Sequence, residues 1–179
     1  TIPILLLGLF ALSQERKTLM ERERRNIEDS LSQGASQLKS QILVYNNLSD
    51  YIAFNQPISD VLIGDYDDIF SMYEQYTATV DPVLSSLKYF NPNINQITIY
   101  LDEDIVKHDT TVDSLHNIEG EKWYREYKNS VNQKVKWIID GKEKTSFSAR
   151  TMPIMEQNKQ KGILYLDVNY DTLFSGFDD

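Results

Sequence analysis

Apolar residues recur at steps of three or four from Ile27 through Leu31, Ala35, Leu38, Ile42, Tyr45 and Leu48 to Ile52. That spacing keeps one stripe on one face of a helix. The pattern continues backwards through a polar stretch into an apolar run, Ile2 to Leu12, and no turn cluster interrupts it before Asn55-Gln56-Pro57. Gly34 is the weak point of its polar part. A second helical pattern runs through Ile69, Met72, Tyr73, Tyr76, Val80, Leu84, Leu87 and Phe90. Asp81-Pro82 lies inside it, where proline either kinks the helix or starts a new one with Asp81 as N-cap. Asn91-Pro92-Asn93 ends it.

The period then changes from helical to alternating. Gln96 to Leu101 is rich in β-branched residues and reads as a strand. Asp102-Glu103-Asp104 reads as a turn, and Ile105 to His108 as a short second strand. Glu119 to Ser130 predicts a helix carrying Trp123, Tyr124 and Tyr127. Three more strands are predicted at Val135 to Ile139, Ser146 to Ile154 and Gly162 to Val168, joined by turns at Asp140-Gly141 and Glu156 to Lys161. This order predicts an α+β domain: a long N-terminal helix and a second helix packed on an antiparallel sheet.

Composition narrows the function classes. The 179 residues suffice for about one domain. A net charge of −9 disfavours nucleic acid, whose binding needs clustered Lys and Arg. The chain has no cysteine, which excludes disulfides, thiolate metal sites and a Cys nucleophile. The run Ile2 to Leu12 is about 11 residues against about 20 for a spanning helix. It reads as the end of a truncated transmembrane helix (residues 1–13), continuing into a signalling helix (14–55) and then the remaining domain (56–179). Arg16, Lys17, Arg22, Arg24 and Arg25 follow it and favour a cytoplasmic position by the positive-inside rule.

Catalysis finds little support. His108 and His116 fall near predicted loops and are expected to be solvated, and no nucleophile elbow or Gly-rich phosphate loop is present. Asp102-Glu103-Asp104 fails as the start of a calcium loop, because Lys107 stands where Gly is needed and Asp113 where Glu is needed. Asp65, Asp67 and Asp68 read as N-terminal charges on the second helix. No catalytic residue, metal or cofactor is expected. A small-ligand site is better supported. Tyr100, Trp123, Tyr124, Trp137, Arg150 and Asp167 offer aromatic faces and polar groups of the kind that hold sugars or amino acids. The competing expectation makes both tryptophans ordinary core and pairs Arg150 with Asp167 across strands.

Several segments resemble a known family. Asn91-Pro92-Asn93-Ile94-Asn95-Gln96-Ile97-Thr98-Ile99-Tyr100 resembles the end of the long helices and the first strand in extracytoplasmic sensor domains of YesM-type histidine kinases. Trp123-Tyr124 resembles the Trp-Tyr pair of Cache domains, which are PAS-like sensors, and Gly162 to Val168 is similar to their last strand, with Asp167 near its end. The resemblance implies a PAS-like sheet and an outward-facing sensor domain anchored in the cell membrane by flanking transmembrane helices. It implies a homodimer through the N-terminal helix, an absent kinase part and a cognate response regulator. The domain would be a single Cache domain or the distal module of a double one. Amino-acid-sensing relatives carry an Arg two residues before the Trp, where this chain has Glu121. That departure lowers the amino-acid reading, although Arg150 could substitute, and the resemblance to YesM-type sensors, which are often tied to carbohydrate uptake, implies a carbohydrate as first choice. A domain that senses an accessory solute-binding protein is the alternative, and a membrane-anchored hydrolase the least favoured.

Overall fold

The computed structural model describes residues 2–102, 105–130, 135–156 and 159–177. The chain divides into two compact units, one of residues 1–41 with 174–179 and the other of residues 42–173. Helix α1 runs Ile2–Ala53 and contributes to both. No helix among the described residues is long and apolar enough to cross a membrane.

In the larger unit the end of α1 packs with α2 (Gln56–Leu62), α3 (Ile69–Gln75) and α4 (Asp81–Phe90) against a five-stranded sheet. Asn55 explains the break after α1. Its side chain accepts from the Ile58 N–H at 3.1 Å, capping α2, and Pro57 occupies the first turn, where its missing donor costs nothing. Asp68, one of the three acids expected as charges at this helix start, caps α3 in the same way through the Ser71 N–H at 2.7 Å.

A new α-helix does start at Asp81-Pro82, with Pro82 in its first turn as expected, but its N-cap is Val80 rather than Asp81. Tyr76–Val80 winds as a π-helical turn between α3 and α4, and Asp81 keeps helical backbone angles of φ −59° and ψ −43°. A π turn re-registers the hydrogen-bond ladder just ahead of Pro82, whose missing donor costs nothing in the first turn of α4. The Asp81 carboxylate reaches His108.

The sheet comprises β1 (Ile94–Leu101), β2 (Val112–Ser114), β3 (Val135–Asp140), β4 (Thr145–Glu156) and β5 (Lys159–Val168), in the order β2-β1-β5-β4-β3. β1, β5, β4 and β3 pair antiparallel, as expected. β2 does not: it lies parallel to β1, with Ile99 opposite Val112 and Leu101 opposite Ser114. The expected strand at Ile105 to His108 is reduced to a single bridge between His108 and Val112. The chain reverses there, at Asp109 with φ +48°, a left-handed conformation that Asp tolerates better than most residues. The edge strand therefore forms after the reversal and in the opposite sense. Helix α5 (Lys122–Asn129) is shorter than predicted at its start because Glu121 is still extended.

The smaller unit is the first part of α1 with the C-terminal turn Ser175–Phe177. The single apolar stripe of α1 meets two environments. Ile27 and Leu31 are exposed, whereas Tyr45 and Ile52, within the larger unit, are buried.

Candidate functional site

Successive residues of a strand point to opposite faces of a sheet, so the pairing register divides the candidate residues into two sets. β5 is central. Ile163, Tyr165 and Asp167 share one face with their cross-strand partners Tyr100, Thr98 and Gln96 of β1, and with Thr151, Ala149 and Phe147 of β4. Leu164, Leu166 and Val168 take the other face and are fully buried. Arg150 pairs with Leu164 and with Val135, and Trp137 with Ser148, so both belong to the Leu164 face.

Tyr100, Trp123, Tyr124 and Asp167 thus belong to one candidate site. Arg150 and Trp137 lie on the opposite side of the sheet, against α1. Trp137 Nε1 donates to Asn46 Oδ1 at 3.0 Å, and its ring lies 6.3 Å from that of Tyr45. The Arg150 guanidinium reaches Asp50 and Ser49 of α1 and lies over the Phe54 ring. The expected cross-strand pair of Arg150 with Asp167 does not exist, and Arg150 lies on the face opposite Tyr100 and Tyr165. The register of β4 is the physical reason.

The first face carries an aromatic cluster. Trp123 of α5 stands with its ring 5.4 Å from Phe147, 5.6 Å from Tyr165, 6.4 Å from Tyr100 and 6.0 Å from Tyr124. Phe147 and Tyr165 are 4.8 Å apart with their planes tilted by 38°, within the distance at which aromatic pairs interact. Tyr127, Ile118, Leu115, Ala149 and Ile163 complete the core beneath α5. Phe147 and Tyr165 were not among the residues singled out from sequence. For Tyr165 a signal existed, since it lies two positions before Asp167 in a strand and must share its face.

Acidic groups surround these rings. Burial raises the Asp167 carboxyl above the ordinary carboxylate range, against hydrogen bonds from Asn95 (3.0 Å) and Tyr165 that favour ionisation. Burial, then the Asp167 charge, raises the Tyr165 hydroxyl. Burial, then Asp113 and Glu121, does the same to Tyr100. Asp113 accepts from the Ser114 N–H at 2.8 Å and from Asn117 Nδ2 at 2.6 Å, with Lys107 at 3.6 Å. The ammonium of Lys136, a residue of this face, is directed to the Glu126 carbonyl at 3.3 Å. Among the described residues no guanidinium faces the cluster from the sheet.

His108 departs from expectation. It is 1% exposed rather than solvated. Its Nε2 lies 2.9 Å from Asp81 Oδ2, and the other Asp81 oxygen accepts from Thr111 Oγ1 at 2.9 Å. Tyr73 and Tyr76 meet the imidazole edge-on, with centroids 4.2 and 5.5 Å away. This cluster fastens the reversal before β2 to the π turn, which makes it architectural. His116 is exposed and bonds Ser114 locally at 3.0 Å. Of the acidic turn, Glu103 and Asp104 lie outside the described residues.

Comparison with family models, with curated proteins and with solved structures gives no match.

Two predictions follow from this partition. The Arg150 side chain is 4% exposed and its partner Asp50 53% exposed, so removing either has unequal consequences. Asp50→Ala strands a buried guanidinium and should cost about 2 kcal/mol after discounting for the solvated partner. That lowers the melting temperature by roughly 4–8 °C for a chain of this size. Arg150→Met leaves only a solvated carboxylate and should cost less. Equal losses in thermal unfolding would contradict the asymmetry.

Asp167 gives the second. Its pKa is raised in the folded protein, so the folded state keeps the proton to higher pH than the unfolded chain does. The ionised carboxylate therefore costs stability above the folded pKa. The cost fades as pH falls through that value and is gone below the ordinary value of about 3.9. Asp167→Asn, which retains one acceptor, should raise the melting temperature at pH 7, with the gain shrinking toward pH 4. A loss of stability at pH 7 with none at pH 4 would reverse the assigned sign.

Proposed function

We propose that the chain is the ligand-sensing domain of a membrane sensor histidine kinase of the YesM type. In this reading it is a Cache domain on the extracytoplasmic side, detecting a small solute on the Tyr165 face of the sheet. The strand order β2-β1-β5-β4-β3 and the helical layer on one face support the PAS-like part of this reading. The observation that carries the site is the grouping of Tyr100, Trp123, Phe147 and Tyr165 with Asp167 on one face, while Arg150 is committed to Asp50 on the other. Aromatic faces pack against the C–H faces of a sugar ring, and a carboxylate accepts from its hydroxyls. An α-amino acid would bring a carboxylate to a face bordered by Asp113, Glu121 and Asp167, with no arginine from the sheet to receive it. A carbohydrate is therefore the first choice and an amino acid the second.

A thermal-shift panel of mono- and oligosaccharides, amino acids and short peptides tests this. A ligand at about 100 times its Kd adds about 2.7 kcal/mol, which for this chain length is roughly 5–10 °C. The expected result is a shift with a saccharide that disappears in Trp123→Ala. A shift with amino acids alone overturns the carbohydrate choice, and no shift with any member overturns the small-solute reading.

The proposal includes a parallel homodimer along α1. Met20, Ile27 and Leu31 are each more than half exposed, and their spacing of seven and four keeps them on one face. Sedimentation equilibrium should give a dimer that Ile27→Glu with Leu31→Glu converts to monomer. A wild-type monomer at all concentrations removes the dimer from the proposal.

A further inference from the structure

Tyr100, Trp123 and Tyr165 meet on one face of the sheet, with Trp123 6.4 Å from Tyr100 and 5.6 Å from Tyr165. Trp123 and Tyr165 are only partly buried, so ring surface remains for a ligand. Tyr100 is 9% exposed, and its hydroxyl has no hydrogen-bond partner among the described residues.

Carboxylates stand around these rings. Asp113 is the β2 residue opposite Tyr100, and the two strands run parallel, so both residues share the face. Asp167 is opposite Phe147 across β5 and β4. Glu121 is the N-cap residue of α5, yet its side chain makes no capping hydrogen bond. That carboxylate is exposed, and after burial its charge is one cause that raises the hydroxyls of both Tyr100 and Tyr165.

The cations nearby are committed elsewhere. Lys107 lies 3.6 Å from Asp113, and Lys136 is directed to the Glu126 carbonyl at 3.3 Å. Lys128 stands 6.0 Å over the Tyr124 ring. None of them pairs with Glu121 or Asp167, which have no cationic partner among the described residues. The Asp167 carboxylate therefore carries its burial with help only from Asn95 and Tyr165. A neutral sugar would leave both charges as they are. A protonated amine would compensate them, because hydrogen bonds between charged partners are the stronger kind. Its charge is also attracted to the negative faces of the rings.

We propose that the solute held on the Tyr165 face is a cationic saccharide, a hexosamine whose ammonium is received by Glu121 and Asp167 while its ring lies against Trp123. This rests on the reading that a saccharide binds this face, and it adds the charge of that saccharide. The carboxylates supply the selectivity, and the aromatic rings supply the contact that any sugar would share.

Isothermal titration calorimetry at low ionic strength tests this with glucosamine, N-acetylglucosamine, glucose and tetramethylammonium as probes. Glucosamine should bind about tenfold more tightly than either neutral sugar. Glu121→Gln, at an exposed position, should weaken glucosamine about fivefold and leave the neutral sugars unchanged. Asp167→Asn should act in the same direction. Equal affinity for the three sugars, or a preference for a neutral one, overturns the ammonium and leaves the carbohydrate reading standing. A glucosamine affinity unchanged in both variants overturns the assignment to Glu121 and Asp167. Binding of tetramethylammonium with no sugar overturns the hexosamine and the carbohydrate reading together. No binding of any probe overturns the hexosamine, while the wider thermal-shift panel decides the carbohydrate reading separately.

Discussion

The alternation of β5 is the constraint on which the rest of the larger unit depends. As the central strand, β5 is covered on both faces, yet its sides differ in chemistry. Leu164, Leu166 and Val168 supply an aliphatic surface for the helical layer, while Ile163, Tyr165 and Asp167 face α5. A slip of one residue would exchange the sets, burying a carboxylate and a phenol among aliphatic side chains and turning leucines toward the acids. The penalty for such a slip fixes the register. The register in turn decides that Asp167 and Arg150 stand on opposite faces.

That separation gives each charged residue a distinct office. Arg150 is buried but has a carboxylate on α1 and an aromatic ring beside it, so its charge serves to position the helix on the sheet. Asp167 is held by an amide and a phenol, with burial opposing its ionisation. The first arrangement compensates a buried charge, as architecture requires. The second leaves a carboxylate whose ionisation burial opposes next to an aromatic wall.

Much of this was legible in the residues, and what was not has a definable cause. The α+β class, the long helix, the break at Asn55 and four of the five strands follow from periodicity and turn chemistry, which act over a few residues. The grouping of Trp123 with Tyr100 and Asp167 was anticipated, but Trp137 and Arg150 were placed with them because composition alone ignores the face. Parity within β5 pairs Tyr165 with Asp167 from sequence; assigning Arg150 to a face needs the β4 register, a contact between distant segments. His108 illustrates the same boundary. Nothing local separates a solvated loop histidine from one buried against Asp81, because its partner is 27 positions away. The parallel edge strand follows from that commitment, since the chain must reverse at Asp109 before it can pair.

The long helix shows the opposite limit, a pattern legible everywhere with a meaning that changes along its length. Its apolar stripe is continuous from Ile27 to Ile52, but Tyr45 and Ile52 are buried by their own domain while Ile27 and Leu31 face outward. Between these stretches stands Gly34, where the C-terminal turn closes on the helix. A helix whose stripe were consumed wholly by its own domain could only be a structural support. On this helix the stripe is consumed by the larger unit at Tyr45 and Ile52 and stays exposed at Ile27 and Leu31.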